Sequence, residues 1–80
     1  MEDYKRRMLI EFQDLENKCA NLSSFIISNL KYEQSSNEIQ LLLRNQLRYM
    51  EGYRQCLYDR IMLTVTKEEM EEFDNEVKKD

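Results

Sequence analysis

Eighty residues without a histidine or proline, with one glycine and two cysteines, leave room for one domain. So short a chain gains only a few kcal/mol from a single core, and its usual remedies are disulfides, a metal or self-association. The residues favour the third, and a surplus of Leu, Glu, Arg, Lys, Gln and Met favours long helices over sheet. The fold class expected is all-α: a long antiparallel helical hairpin plus a short C-terminal amphipathic helix, oligomeric, in one domain over residues 1–80.

Charge is unevenly placed. Residues 1–66 carry nine acidic and nine basic side chains; residues 67–80 carry seven and three, which is the whole net −4. That balance disfavours DNA or RNA as a partner. There is no apolar run of membrane-spanning length, and Met1-Glu2-Asp3 does not begin a signal peptide. A cytoplasmic protein with no membrane partner and with Cys19 and Cys56 reduced is expected.

The first segment repeats apolar residues at Tyr4, Met8, Phe12, Leu15, Cys19, Leu22 and Ile26, the 3,4 spacing of one helix face. A helix over about 2–29 follows, with Glu2 and Asp3 at the positive end of its dipole. Lys31–Gln34 reads as a short connection.

Ser35-Ser36-Asn37-Glu38 is a capping signal in which Ser35 caps and Glu38 reaches back. A second helix over about 36–63 carries the stripe Ile39, Leu43, Leu47 (with Gln46), Met50, Leu57 and Ile61. Gly52 falls on the opposite side, costing roughly 1 kcal/mol of helix propensity without opening the core. Two helices of about 28 residues, each roughly 42 Å long, joined by a short loop, make an antiparallel hairpin.

Thr66-Lys67-Glu68-Glu69 repeats the capping box, and Met70, Phe73 and Val77 keep helical spacing behind it. A third helix over about 67–78 follows, with Lys78 and Lys79 at its favourable end. Its acidic run lacks an EF-hand pattern and reads as a solvated face. Whether this helix folds back on its own hairpin or onto a neighbour stays open.

The second helix has more apolar surface than one partner helix needs. Beside the main stripe runs a row of Leu42, Tyr49, Tyr53, Cys56, Arg60 and Leu63, and together they cover nearly half the circumference. The row meets either the third helix of the same chain or another subunit. On the second reading the oligomer interface is Leu42, Tyr49, Tyr53, Cys56, Leu63, Met70 and Phe73.

Basic residues on this helix are all arginine, whose planar fork suits phosphates and stacks on rings. Arg44 and Arg48 share a charged face with Glu51, Gln55 and Asp59. Arg54 falls inside the apolar stripe, and Arg60 on the tyrosine row. Tyr49, Tyr53, Arg54 and Arg60, with Arg7 from the first helix, are the candidate ligand-binding residues for a base and a phosphate. The plainer reading is snorkelling stems and an inter-helix ion pair. The hairpin register sets Cys19 and Cys56 roughly 15 Å apart, beyond disulfide reach.

No nucleophile–base pair, glycine-rich phosphate loop or zinc spacing occurs, and no carboxylate sits on an apolar stripe. The expectation is no enzyme, no cofactor and no metal.

Asp3-Tyr4, Arg7-Met8, Glu11, Leu15, Leu22 and Phe25-Ile26, then Leu42, Gln46-Leu47, Met50, Tyr53, Leu57 and Arg60-Ile61, resemble a family of small helical-hairpin proteins. Its members come from crAss-like and other gut phages and prophages. The likeness covers about residues 3–61, and the Met-x-x-Tyr-x-x-x-Leu-x-x-Arg-Ile run ending the second helix is its most specific part. The architecture is also similar to the hairpins of phage anti-CBASS and anti-Thoeris sponges, an analogy of fold. Those proteins oligomerise and hold cyclic nucleotides or cyclic ADP-ribose derivatives between subunits.

The resemblance implies an anti-defence homo-oligomer in the host bacterial cytosol that sequesters a nucleotide second messenger without cleaving it. The alternative is a non-catalytic helical oligomer acting as a protein–protein interaction module or inhibitor of a host protein.

Overall fold

The computed structural model describes residues 1–78, so Lys79, expected at the end of the last helix, lies outside the described residues. The chain runs α1 (Asp3–Ser28), α2 (Leu30–Glu33), α3 (Asn37–Thr64) and α4 (Lys67–Lys78), with no strand among the described residues. The long helices α1 and α3 pack against each other, and α4 folds back onto the end of the pair where α1 begins and α3 stops.

α1 ends because Asn29 turns extended, and Asn29 immediately caps the next turn, its side-chain oxygen accepting from the Lys31 amide at 2.8 Å. The connection expected over Lys31–Gln34 is therefore largely helical, the short α2. It carries Tyr32, which is buried and meets Phe25 edge-on at 6.1 Å. The Gln40 side chain donates to the Tyr32 carbonyl at 2.9 Å and ties this turn to α3.

The cap of α3 is Ser36, not Ser35. Ser36 has the extended backbone that a cap needs, and its hydroxyl accepts from the Ile39 amide at 3.2 Å. Ser35 is still held by the preceding turn. Its amide donates to the Tyr32 carbonyl and its hydroxyl to the Lys31 carbonyl.

At the far end of α3, Val65 is extended and buried, and α4 starts on a complete capping box. The Glu69 amide donates to the Thr66 hydroxyl at 3.2 Å, and the Thr66 amide donates to the Glu69 carboxylate at 3.0 Å. Twelve residues are too few for a stable isolated helix, so α4 depends on docking. Phe73 is the anchor, buried beside Met8, Leu9, Ile61 and Val65, with Met70 half-buried next to it. Burying such a ring contributes about 1.5–3 kcal/mol.

Ion pairs complete the docking. Lys5 meets Glu69 at 3.1 Å, the N-terminal amine meets Glu72 at 3.6 Å, and Arg6 makes a two-pronged contact with Glu76 at 3.0 and 3.1 Å. The third helix thus packs in cis. Phe73, expected at an oligomer interface, is instead buried by its own chain, with 5% of its surface exposed. Leu9 also enters the core from outside the α1 stripe, because α4 covers the flank on which it stands.

The core lies at this end. In α3 nothing before Leu57 is buried, while Ile27, Leu30, Ile39, Leu41 and Leu42 near the turn are exposed. The chain exposes 6192 Å², where a compact monomer of its mass would expose about 5,200 Å². Its radius of gyration is 15.9 Å, against about 12 Å for a compact chain of this length. A single copy leaves its long axis under-packed.

The clasp makes a pH prediction. Its capping bond from the Thr66 amide, then Lys5, holds the Glu69 carboxyl below the ordinary 4.5. The stability from a lowered carboxyl is present above the ordinary value and lost as pH falls through the folded one. The Glu69 hydrogen bond raises Lys5 above 10.5, so its share is present below that value and lost at higher pH. Amide exchange in α4 should therefore be slow near neutral pH and quicken below the carboxylate range, beyond the intrinsic pH trend. Glu69→Gln should flatten that acid dependence. An α4 exchange profile identical in the two proteins would contradict this account.

Candidate ligand-binding and self-association face

α3 presents three flanks. Leu57 and Ile61 join the core with α1, and Tyr58 and Met62 border the cleft beneath α4. The third flank holds Leu42, Tyr49, Tyr53, Cys56, Arg60 and Leu63, and all six are exposed. Leu42 is 62% exposed, Tyr49 68% and Leu63 90%, far more than such side chains leave open when packed.

Two depressions meet on this flank. One, of about 290 Å³, lies between the long helices and is lined by Arg7, Ile10, Glu11, Asp14, Leu15, Lys18 and Tyr53. The other, about 550 Å³ and shallower, is walled by Leu42, Asn45, Gln46, Tyr49, Met50 and Tyr53. Tyr53 is the wall they share. The Arg48 guanidinium stands 5.5 Å from the centre of the Tyr49 ring, a cation–π approach at the edge of the same surface.

Arg7, Tyr49 and Tyr53 are thus brought together. Arg60, seven residues beyond Tyr53, shares its helix face. Arg54 is not with them. It lies half-buried on the opposite side of the hairpin, in a cleft of about 200 Å³ with Cys19, Ser23, Leu47 and Glu51. Lys18 and Ile10, which stand off the apolar stripe of α1 and so carry no periodic signal, also border the Tyr53 cleft. Arg7 and Lys18 make no ion pair within 4.0 Å among the described residues. Their charge is available to an anion, although Glu11 and Asp14 in the same cleft offset it.

A further cleft, of about 260 Å³, opens among α1, α3 and α4, lined by Phe12, Tyr58, Met62, Met70 and Phe73 with Glu16 and Asp74. Carboxylates without a cation in the lining make it a poor place for a phosphate. Among the described residues no group of three or more metal-binding side chains is placed to hold an ion. No described helix is long and apolar enough to cross a membrane.

Residues 2–63 match the Sequestin family, a span that takes in the hairpin except the last residue of α3 and includes the tyrosine row. The chain belongs to that family. No curated protein and no solved structure matches it. The Sequestin match ends at Leu63, before Val65 and the capping box, so α4 lies beyond the part this chain shares with the family.

The two thiols report on this face. Cys19 is buried in the core and Cys56 is exposed on the tyrosine row. A thiol reagent should therefore modify Cys56 quickly in the native protein and Cys19 only on unfolding. If copies meet through the row, Cys56 modification should slow as protein concentration rises. Equal rates at the two cysteines in native protein would contradict the placement.

Proposed function

We propose that this Sequestin-family protein binds and sequesters a nucleotide second messenger, of cyclic oligonucleotide or cyclic ADP-ribose type, without cleaving it. It does so as a homo-oligomer in the bacterial cytosol, as a phage or prophage anti-defence protein of the kind that blunts CBASS or Thoeris signalling. The family's name points to sequestration. The observation that carries the reading is the uncovered Tyr49–Tyr53 surface beside Arg7 and Lys18.

Tyrosine rings stack bases whatever their identity, and arginine forks bind phosphate oxygens. Each chain supplies the components along one flank, and a symmetric contact repeats them. Self-association is supported by the surface excess of about 1,000 Å² over a compact monomer, comparable to the roughly 800 Å² each partner buries in a standard interface. A preformed site between copies holds a ligand with little reorganisation.

A second reading is favoured by the apolar residues at both ends of the row. Leu42 and Leu63 are exposed and have no phosphate chemistry to offer. They fit a helical oligomer that docks on another protein as an interaction module or inhibitor.

Ligand that binds only the native state stabilises it by about 2.7 kcal/mol at 100 times its dissociation constant. For a chain this short the melting temperature rises by roughly 10–20 °C. At least one cyclic di- or trinucleotide or cyclic ADP-ribose isomer should produce such a rise. Tyr53→Ala, Arg7→Ala or Arg60→Ala should abolish it, whereas Arg54→Ala, on the other side, should keep it. A panel that moves no melting point would hand the protein to the interaction-module reading.

A further inference from the structure

The surface that receives α4 is a built helix-binding site. Its apolar floor is Met8, Leu9, Ile61 and Val65, and its rim carries the N-terminal amine, Lys5 and Arg6. The helix seated on it presents Glu69, Glu72 and Glu76 on one face at spacings of three and four, with Phe73 as the aromatic anchor. An amphipathic helix in a groove is a recurrent mode of recognition, and here the two sides match in charge as well as shape. Apart from Met1 and Val65, the receiving residues lie within the Sequestin match at 2–63, whereas the occupant lies wholly outside it.

We propose that this end of the hairpin, filled by the chain's own α4 in a single copy, is a receptor for an acidic amphipathic helix, and that two copies of the chain occupy each other's receptors by reciprocal exchange of α4. Charge complementarity names the occupant, because the acidic face with its phenylalanine is this chain's own. The connection between α3 and α4 is only Val65 and Thr66, a short hinge whose straightening would carry α4 away from its own receptor toward a neighbour's. Exchange loses none of the α4 contacts, since each receptor still holds an identical helix. The clasp is partly solvent-facing: the Glu72 side chain is 50% exposed and Glu76 40%. Salt screens these outer pairs, so release of α4 is limited mainly by withdrawal of Phe73 from the core. The receptor lies on the opposite flank of α3 from the tyrosine row, so its occupancy is independent of any ligand held there.

Charge reversal in the full chain tests it. Lys5→Glu with Arg6→Glu makes the receptor acidic, and Glu69→Lys with Glu76→Lys makes α4 basic. Each double variant alone should lose protection of the α4 amides against hydrogen exchange at least ten-fold. The two mixed one to one can restore opposite charges only by reciprocal exchange, and the mixture should recover that protection. The chain carrying all four substitutions restores the pairs within itself and should be protected on its own. A mixture that remains the sum of its parts, while the fourfold variant recovers, would overturn the proposal. Double variants that keep α4 protected alone would overturn it too, because charge would not select the occupant.

Discussion

The docking of α4 against the first turns of α1 decides how the rest of the molecule is used. Phe73 closes the core, and Glu69, Glu72 and Glu76 fix the helix against Lys5, Met1 and Arg6. Exposed ion pairs contribute little individually, so the ring supplies most of the adhesion and the charges supply the address. By settling on the flank that carries Tyr58 and Met62, α4 leaves the tyrosine row of α3 uncovered. A helix with apolar residues over nearly half its circumference then has one flank that the described residues leave largely exposed.

That imbalance is also an imbalance along the hairpin. From Asn37 to Cys56, α3 has no buried residue, so the half near the turn is held by partial burial, the Gln40 bonds and Tyr32. A small domain seldom tolerates this much open apolar surface without association. Self-association and ligand capture on one flank are therefore linked readings, since the site offered by one chain is shallow and its charges nearly cancel.

Much of the architecture was legible in the residues because helix periodicity and capping are local. The all-α class follows from the 3,4 repeats of Met8, Phe12, Leu15 and Cys19, and the box at Thr66 and Glu69 forms both of its bonds. What escaped was three-dimensional. Ser35 and Ser36 are equivalent as letters, and only the turn ending at Ser35 decides which one caps. Leu9 looks off-stripe until α4 covers it. The flank chosen by α4 could not be read from periodicity, which says that a face is apolar but not which neighbour meets it. The paired charges at residues 1–6 and 69–76 were a usable signal for that choice. Of the candidate ligand residues, Arg7, Tyr49 and Tyr53 share one surface, and Arg54 left the group because the packing of α1 turns that flank toward Cys19 and Glu51.

Sequestration is most directly tested by retention of an intact ligand. The purified full-length protein would be incubated with each cyclic nucleotide or cyclic ADP-ribose isomer, passed through an ultrafilter, and then heated to release whatever it holds. The account predicts that one ligand stays with the protein in a fixed ratio to the chains and is recovered chemically unchanged by mass spectrometry. Ligand that passes freely through the filter in every case, or that returns cleaved, would contradict it.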